Sequence, residues 1–296
     1  MELSHLRYFV HVATAKSFAV GAKRAHVSPP AMSKAIRKLE EELGAPLFER
    51  TTRRVSLTEA GTRLLARCRE ILGQVDGIPG EIRGGDAPVG GALRVAAMEV
   101  FSIHLLPAAL ASMVKRHPNV VPLVHEMTPD QMERHIADGT LDLGLTIGGG
   151  GARGVVYDTL GSSPGVVVTG RDHPLYGRAR ITRADLGRHP FVVPSFFERE
   201  HLPSLDQFPD ALYPRRVGAT IELMQTGMEL ALAGAFLGYF PLVSVVQHVR
   251  SGRLRVLGGL RAGPPFQLRM LLRTGAPPRA AVAILRQELV RLLGRR

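Results

Sequence analysis

Four polar side chains lie on one side of a short predicted helix near the N-terminus: Ser33, Lys34, Arg37 and Lys38. Lys and Arg carry donors and positive charge, and Ser adds a hydroxyl, so this group is suited to hydrogen bonds with base edges and phosphates. The major groove of DNA admits a helix that carries such donors. The alternative is an ordinary solvated face of a charged helix, which is the more common fate of such residues.

The run from residue 17 to 43, SFAVGAKRAHVSPPAMSKAIRKLEEEL, predicts two helices separated by a turn at His26-Val27-Ser28. Ser28 can cap the second helix, and Pro29 and Pro30 fall in its first turn, where a missing N–H costs nothing. Its buried stripe repeats at helical spacing, as does that of a preceding helix capped by Ser17 and that of a first helix before it. A helix-turn-helix is therefore predicted, with Ser28, Pro29 and Pro30 beginning the helix that reads DNA.

A basic hairpin is predicted directly after this helix, in LFERTTRRVSLTEAG. The residues from Arg53 to Leu57 alternate as a short strand does, and a hairpin beside a helix-turn-helix is a wing. Arg50, Arg53 and Arg54 are the candidate contacts of this wing with phosphates. Residues 1–58 hold ten Lys or Arg against five Glu, so positive charge is clustered in this part of the chain.

The composition agrees with a binder of polyanions but does not choose among them. The 296 residues carry a net charge of +12, from 38 Lys and Arg against 26 Asp and Glu, which by itself fits nucleic acid or an acidic membrane. The single cysteine, Cys68, excludes an intramolecular disulfide and suits a reducing compartment. No apolar run reaches the roughly 18 residues of a membrane span, so a soluble cytoplasmic protein is expected.

A further helix should follow Thr58, which can cap it. Its apolar side has no evident partner within the N-terminal region, so burial against a second copy of the chain is the simplest arrangement; this side comprises Leu64, Leu65, Cys68, Ile71, Leu72 and Val75. Proline clashes with the preceding helical turn, so Pro79-Gly80 predicts a kink or an early end near Gly77. The glycine-rich segment 84–91 then predicts a flexible linker.

From residue 92 onward, short β-branched or apolar strands alternate with helical patterns, which predicts an α/β domain with largely parallel sheets. The strands are predicted at 93–98, 120–127, 141–147, 165–169 and 190–194. No Ser-His-Asp set, metal-ligand spacing or phosphate loop is recognisable: Asp142 lies in a strand pattern and His173 in a turn. We therefore predict no catalytic residue, no metal site and no cofactor.

The chain resembles the LysR-type transcriptional regulators over essentially its whole length. The similarity is carried by LRYFVHVA, HVSPPAMSKAIRKLEEELGAPLFERTTRRVSLTEAG, LLP (105–107), HPNV (117–120), GTLDLGL (139–145), DHPL (172–175), ADLGRHPFV (184–192) and SGRL (251–254). The resemblance implies an α/β protein overall, with a mainly α winged helix-turn-helix, a dimerising linker helix and an effector domain of two subdomains like those of periplasmic binding proteins.

The resemblance also implies domain boundaries. The DNA-binding domain would span 1–58, the linker helix and flexible linker 59–91, and the effector-binding domain 92–296. Within the effector domain, subdomain I would comprise 92–161 and 266–296, and subdomain II would comprise 162–265. A small-molecule effector would bind in the cleft between them.

Two departures from the family pattern bear on specificity. The family usually begins the recognition helix with Ser-Gln-Pro, whereas this chain has Ser28-Pro29-Pro30. Because glutamine can pair with adenine and proline has no donor, an altered base preference is expected at that position. The family also places Ser or Thr after the first effector-domain strand, where this chain has Met98-Glu99-Val100-Phe101-Ser102. Glu99 would repel an anion, which favours a neutral, apolar or cationic effector, although Ser102 and the helix that follows could still accept a carboxylate.

The remaining effector candidates come from segments that match the cleft lining of the family: Thr128, Thr146, Ser195, Phe196 and Thr220. For each effector candidate the alternative is an ordinary loop or strand-end residue. The stretch 228–241 is predicted as a helix beside the cleft, with its apolar stripe in the core.

The hypothesis is a transcriptional regulator that binds operator DNA as a homodimer or homotetramer, responds to a small molecule and, if it activates, contacts RNA polymerase. One alternative is an architectural DNA-binding protein with a non-responsive effector domain, supported by the atypical Met98-Glu99-Val100 loop. The other is an enzyme on a binding-protein fold, which the scattered Asp, His and Ser residues do not favour.

Overall fold

The computed structural model describes residues 1–50, 55–82, 89–148, 150–178, 180–194, 206–261, 263–275 and 279–294. The chain forms two compact units, the first built on Met1–Val89 and the second beginning at Gly90. Each unit has its own hydrophobic core.

In its described residues, the first unit contains four helices and a two-stranded hairpin. Ser17 and Ser28 cap α2 and α3 as predicted, since each hydroxyl accepts a backbone N–H at 3.3 Å, and Thr58 accepts the Gly61 N–H at 2.9 Å before α4. Phe9 and Ile36 lie at the centre of the core. The elements are α1 (Leu3–Ala15), α2 (Phe18–Arg24), α3 (Pro29–Leu43), β1 (Phe48–Arg50), β2 (Val55–Leu57) and α4 (Glu59–Ile82).

Helix α4 corrects two expectations. It continues through Pro79 to Ile82, so the predicted early end near Gly77 is wrong. A proline removes a single hydrogen bond of the helix, and this loss falls close to the helix end; the kink stays a prediction. Cys68 and Leu72 are buried in the core of the first unit itself, so a second copy is not needed to cover that part of the apolar side.

The described part of the second unit contains two five-stranded sheets. The first, in the order β4-β3-β5-β12-β6, defines subdomain I here; the second, β11-β7-β10-β8-β9, defines subdomain II. The strands are β3 (Gly91–Ala97), β4 (Val120–Glu126), β5 (Leu143–Ile147), β6 (Val155–Ser163), β7 (Gly165–Gly170), β8 (Pro190–Pro194), β9 (Arg216–Ile221), β10 (Leu237–Pro241), β11 (Leu254–Val256) and β12 (Phe266–Arg273).

Among the described residues, the helices that accompany these sheets are α5 (Glu99–His104), α6 (Leu106–Arg116), α7 (Pro129–Ala137), α8 (Arg183–Arg188), α9 (Met224–Leu232), α10 (Leu242–Arg250) and α11 (Ala280–Gly294). The expectation of largely parallel sheets is wrong, because both sheets are mixed. Parallel pairs join β3 with β4 and β5, whereas β12 is antiparallel to both β5 and β6. The antiparallel strands occur where the chain passes from one sheet to the other and back.

One crossing between the sheets lies at Pro164, which separates β6 from β7. Its carbonyl accepts the Leu242 N–H at 2.8 Å, and the Ser163 hydroxyl accepts the Val243 N–H at 3.0 Å. The first turn of α10 is therefore attached to the crossing segment, which fixes the subdomain II end of this connection.

The predicted helix over 228–241 is correct to Leu232, where α9 ends, and wrong beyond it, because the buried strand β10 follows. Gly234 turns the chain with φ of +72°, and a Cβ there would lie 2.9 Å from the backbone nitrogen of His173. A strand buried on both sides is a continuous apolar run, which periodicity cannot distinguish from a buried helix.

Candidate functional site

The turn between α2 and α3 sets the direction of α3. His26 adopts a left-handed conformation with φ of 53°, and the Val27 N–H donates to the Ala22 carbonyl at 3.0 Å. The Val27 side chain packs against the core of the first unit. Gly21 permits the close crossing with α1, since a Cβ at this position would lie 2.9 Å from a Val12 side-chain carbon. The turn is thus held by backbone bonds and by packing on both sides.

Helix α3 exposes the side that the sequence predicts as its DNA-reading face. Met32, Ala35, Ile36 and Leu39 are buried, while the candidate contacts lie on the other side. Ser33 is half-buried and the others are exposed: Ser28, Pro29, Pro30, Lys34, Arg37 and Lys38. All seven predicted residues are therefore accessible, Ser33 only in part, and together they are called the α3 face below.

The cations of the α3 face differ in their partners. Lys38 lies 3.4 Å from a Glu2 carboxylate oxygen, and hydrogen bonds from Ser4 and then from Lys38 lower the pKa of Glu2. Within the described part of the chain, neither Lys34 nor Arg37 has an ion-pair partner. Positive charge on α3 is therefore least neutralised at Lys34 and Arg37, and Lys34 lies in the N-terminal half that recognition helices direct at base edges.

The predicted wing is confirmed as an antiparallel hairpin in which Phe48 pairs with Leu57 and Arg50 with Val55. The Glu40 carboxylate accepts the Leu47 and Phe48 N–H groups at 2.8 and 3.4 Å, so α3 directly positions the start of the wing. Arg53 and Arg54 lie outside the described residues. For Arg50, the backbone lies in β1 and the side chain is not among those described.

The predicted effector residues of subdomain I divide by burial. Val100, Phe101 and Thr146 are buried, and the Thr146 hydroxyl lies 3.1 Å from the Met98 sulfur. These side chains pack within subdomain I and are inaccessible to a ligand in this conformation. Met98 itself is half-buried beside them.

The other hydroxyl candidates are placed in different local structures. The half-buried Ser102 lies 3.5 Å from the Ala97 carbonyl, whereas Thr128 accepts the Gln131 N–H and caps α7. In subdomain II, Thr220 is exposed on the edge strand β9. Ser195 and Phe196 lie outside the described residues.

Glu99 connects the two subdomains. Its carboxylate accepts the backbone N–H of Met224 at 2.5 Å and of Gln225 at 2.8 Å, which are the first two residues of α9. Leu223 precedes them and has no side-chain acceptor, so α9 lacks a cap of its own. The sequence predicts Glu99 as a cleft residue but not this contact. The uncapped start of α9 is a signal that an external acceptor is required.

A second carboxylate lies close to Glu99. Glu126 is exposed at the end of β4, and desolvation, followed by the negative charge of Glu99, raises its pKa. The junction of the subdomains therefore contains two acidic side chains, one of them bonded to the positive end of a helix. Sequence reasoning missed Glu126, because its strand pattern contains no indication of this neighbour.

Family comparisons identify both parts of the chain. The description "Bacterial regulatory helix-turn-helix protein, lysR family" matches residues 3–62, and "LysR substrate binding domain" matches residues 86–294. The chain belongs to the LysR family of transcriptional regulators. It thus combines a DNA-binding helix-turn-helix with an effector-binding domain, and the predicted family and overall fold are confirmed.

Two curated LysR-family relatives are similar over most of the chain. A probable hydrogen peroxide-inducible genes activator of Streptomyces viridosporus is 32% identical over 276 residues, which cover 93% of this chain and 88% of the relative. ClcR of Pseudomonas putida, a transcriptional regulator, is 30% identical over 239 residues, or 79% of this chain and 80% of the relative.

Solved structures share the fold. A full-length OxyR variant from Pseudomonas aeruginosa has a TM-score of 0.75 and 24% identity, covering 99% of this chain and 95% of the other. Full-length CbnR complexed with its target DNA has a TM-score of 0.60 and 24% identity, covering 98% and 99%. At these identities the structures support the fold alone.

The described part of this LysR-family chain contains no helix long and apolar enough to cross a membrane. The same residues contain no group of three or more His, Cys, Asp or Glu side chains that could hold a metal ion. The relatives found by comparison are transcriptional regulators, so the family assignment names regulation rather than catalysis.

Proposed function

We propose that this regulator binds operator DNA in the cytoplasm as a homodimer or homotetramer, through the α3 face and the wing. The observation that carries the proposal is the exposed side of α3, where Lys34 and Arg37 have no ion-pair partner among the described residues. Unpaired cations on a helix held by a helix-turn-helix attract the phosphate backbone and reach the base edges.

Roles within the DNA site follow from position. Ser28, Pro29 and Pro30 begin α3 and lie nearest the bases, while Ser33, Lys34 and Arg37 extend along the same side. Lys38 must exchange its Glu2 partner for a phosphate, so it contributes less than its charge suggests. Arg50, Arg53 and Arg54 contact phosphates from the wing.

For the effector-binding domain we propose a small-molecule site at the junction of the subdomains. The supporting observation is that Glu99 of subdomain I and α9 of subdomain II meet there. Met98, Ser102, Thr128 and Thr220 are the accessible candidates, with Val100, Phe101 and Thr146 behind them; Ser195 and Phe196 complete the proposed set. A ligand at this junction changes the relative stability of two subdomain arrangements and so affects DNA binding and, in an activator, contact with RNA polymerase.

A gel-shift titration of the full chain tests the DNA-binding proposal. The probes are duplexes from the region upstream of its own gene and of the neighbouring divergent gene. We expect a complex that survives excess nonspecific DNA. Folded protein that binds every such probe no better than a scrambled duplex would contradict the proposal.

The second candidate is an architectural DNA-binding protein whose effector domain does not respond to ligands. The burial of Val100, Phe101 and Thr146 and the contact between Glu99 and α9 favour it, because they leave the junction closed. A thermal-shift screen against small metabolites separates the two, since a ligand that binds the folded state raises the melting temperature. Enzymatic turnover is not proposed.

A thiol-based response to peroxide is not proposed either. The sequence contains no cysteine after Cys68, so the effector-binding domain has no thiol. Cys68 lies in the core of the first unit, where burial raises its pKa to about 11 and keeps the unreactive thiol form.

A further inference from the structure

The start of helix α9 is occupied by a carboxylate from elsewhere in the chain. The Met224 and Gln225 N–H groups at this helix end have no intrahelical partner, and they point to the two oxygens of one side chain, Glu99. Residues 99 and 224 are separated by 125 positions and lie in different subdomains. The contact therefore both caps α9 and joins the two subdomains.

We propose that Glu99 determines effector specificity by acting as a built-in carboxylate at α9, which joins the two subdomains and excludes carboxylate ligands from the junction. This inference rests on the proposed effector-binding role of the junction. A ligand carboxylate seeking the same two N–H groups has to displace Glu99 and then lies beside a negative charge. Ligands without a negative charge avoid both costs.

The neighbourhood supports this reading independently of the helix end. Glu126 adds a second acidic group, since it lies opposite Ala97 in the register of β3 and β4, two residues before Glu99. Desolvation, and secondarily the negative charge of Glu99, raise the pKa of Glu126. An arriving anion would therefore meet two carboxylates. In addition, α5, which begins at Glu99, contacts both α9 and α10, so the carboxylate lies where subdomain I touches subdomain II.

Chemical rescue tests the proposal on the full chain. Glu99→Ala removes one methylene and the carboxylate, whose heavy atoms match those of acetate. We expect the variant to melt about 3–6 °C below the native chain in the transition of the second unit. Sodium acetate should restore this loss in a saturable way, while acetamide and sodium chloride of equal concentration should not. The native chain should not respond to acetate.

Glu126→Ala is the matched control, because it removes a carboxylate from the same neighbourhood that is not hydrogen-bonded to α9. It should show no acetate-specific increase in melting temperature. Equal responses of the native chain and Glu99→Ala to acetate would overturn the proposal. So would a lowered melting temperature that acetate fails to restore, since Glu99 would then be a structural residue only.

If Glu99→Ala does not fold, amide NMR provides the second measurement. Glu99→Gln should shift the Met224 and Gln225 amide resonances strongly, whereas Glu126→Gln should leave both near their native positions. Unchanged amides in Glu99→Gln would refute the contact. These measurements use protein without DNA, so their failure leaves the operator-binding proposal standing, and failure of the gel shift leaves the Glu99 result standing.

Discussion

Lys34→Ala should weaken operator binding and stabilise the free protein. Lys34 is exposed on α3, with Arg37 three residues and Lys38 four residues further along the same side of the helix. Each like-charged pair at this spacing destabilises a helix by roughly 0.2–0.5 kcal/mol, so removing Lys34 relieves about 0.4–1 kcal/mol. Alanine adds a few tenths through its helix propensity.

The two expected effects have opposite signs. A stabilisation of this size raises the melting temperature of the first unit by about 2–8 °C, since its core is that of a small domain. If Lys34 contacts one phosphate in each half of a dimer, the slope of log Kobs against log salt falls in magnitude by about 1.8. Relative to 1 M salt, that slope change corresponds to roughly 30-fold weaker binding at 0.15 M.

Fluorescence anisotropy with a labelled operator at several salt concentrations measures the slope, and urea unfolding measures stability. Lys115→Ala is the matched control, because it removes an exposed lysine from a helix of the second unit, α6. The control should leave the salt slope unchanged. A native slope in Lys34→Ala would refute the DNA-facing role of α3, and a loss of stability above 1 kcal/mol would show that the lysine stem supports the fold.

Three further outcomes are expected. Pro29→Gln restores a side-chain donor and acceptor at the start of α3 and should increase preference for adenine at one position per half-site by about 1–3 kcal/mol, measured with single-base operator variants. Burial, and secondarily the charge of His189, lower the pKa of His173 to about 4 from 6.5, so the unfolded state binds more protons at intermediate pH. The contribution of neutral His173 to the free energy of unfolding is therefore fully present above pH 6.5. It falls by roughly 2 kcal/mol between pH 7 and 5. Urea titrations should show a smaller fall for His173→Asn, which keeps an acceptor near the Leu175 N–H; an equal fall would exclude His173 as the cause. Cys68 should resist iodoacetamide in the native protein and react after unfolding, as mass spectrometry would show; rapid native alkylation would contradict its burial.

The DNA-binding part could be predicted from the sequence because its determinants are local. Ser28 caps α3 three residues from its partner Ala31, and the buried stripe of α3 follows the helical period. The positions of α3 outside this buried stripe are then predicted to be exposed. Partners distant in sequence were not accessible in this way, which is why the ion pair between Lys38 and Glu2 was missed.

The predictions for two segments were wrong for physical reasons that involve the whole fold. Residues 237–241 form the central strand of their sheet, buried on both sides, and their apolar run resembles the core side of a helix. At Pro79 the prediction considered only the local cost of a proline in a helix. It did not consider the rest of the long helix α4, which continues to Ile82. In both cases tertiary context decided a choice that local propensity left open.

The free energy of the contact between Glu99 and α9 can be compared with the free energies of allosteric regulation. Two charge-assisted hydrogen bonds at a half-exposed position contribute about 1–3 kcal/mol, and typical allosteric coupling free energies lie in the same range. A ligand shifts the two subdomain arrangements only by its difference in affinity for them. If binding breaks this contact, the ligand has to recover that free energy from new interactions; if binding retains it, Glu99 already favours the bound arrangement. The melting temperature of Glu99→Ala with and without a ligand therefore reports which of the two arrangements the effector selects.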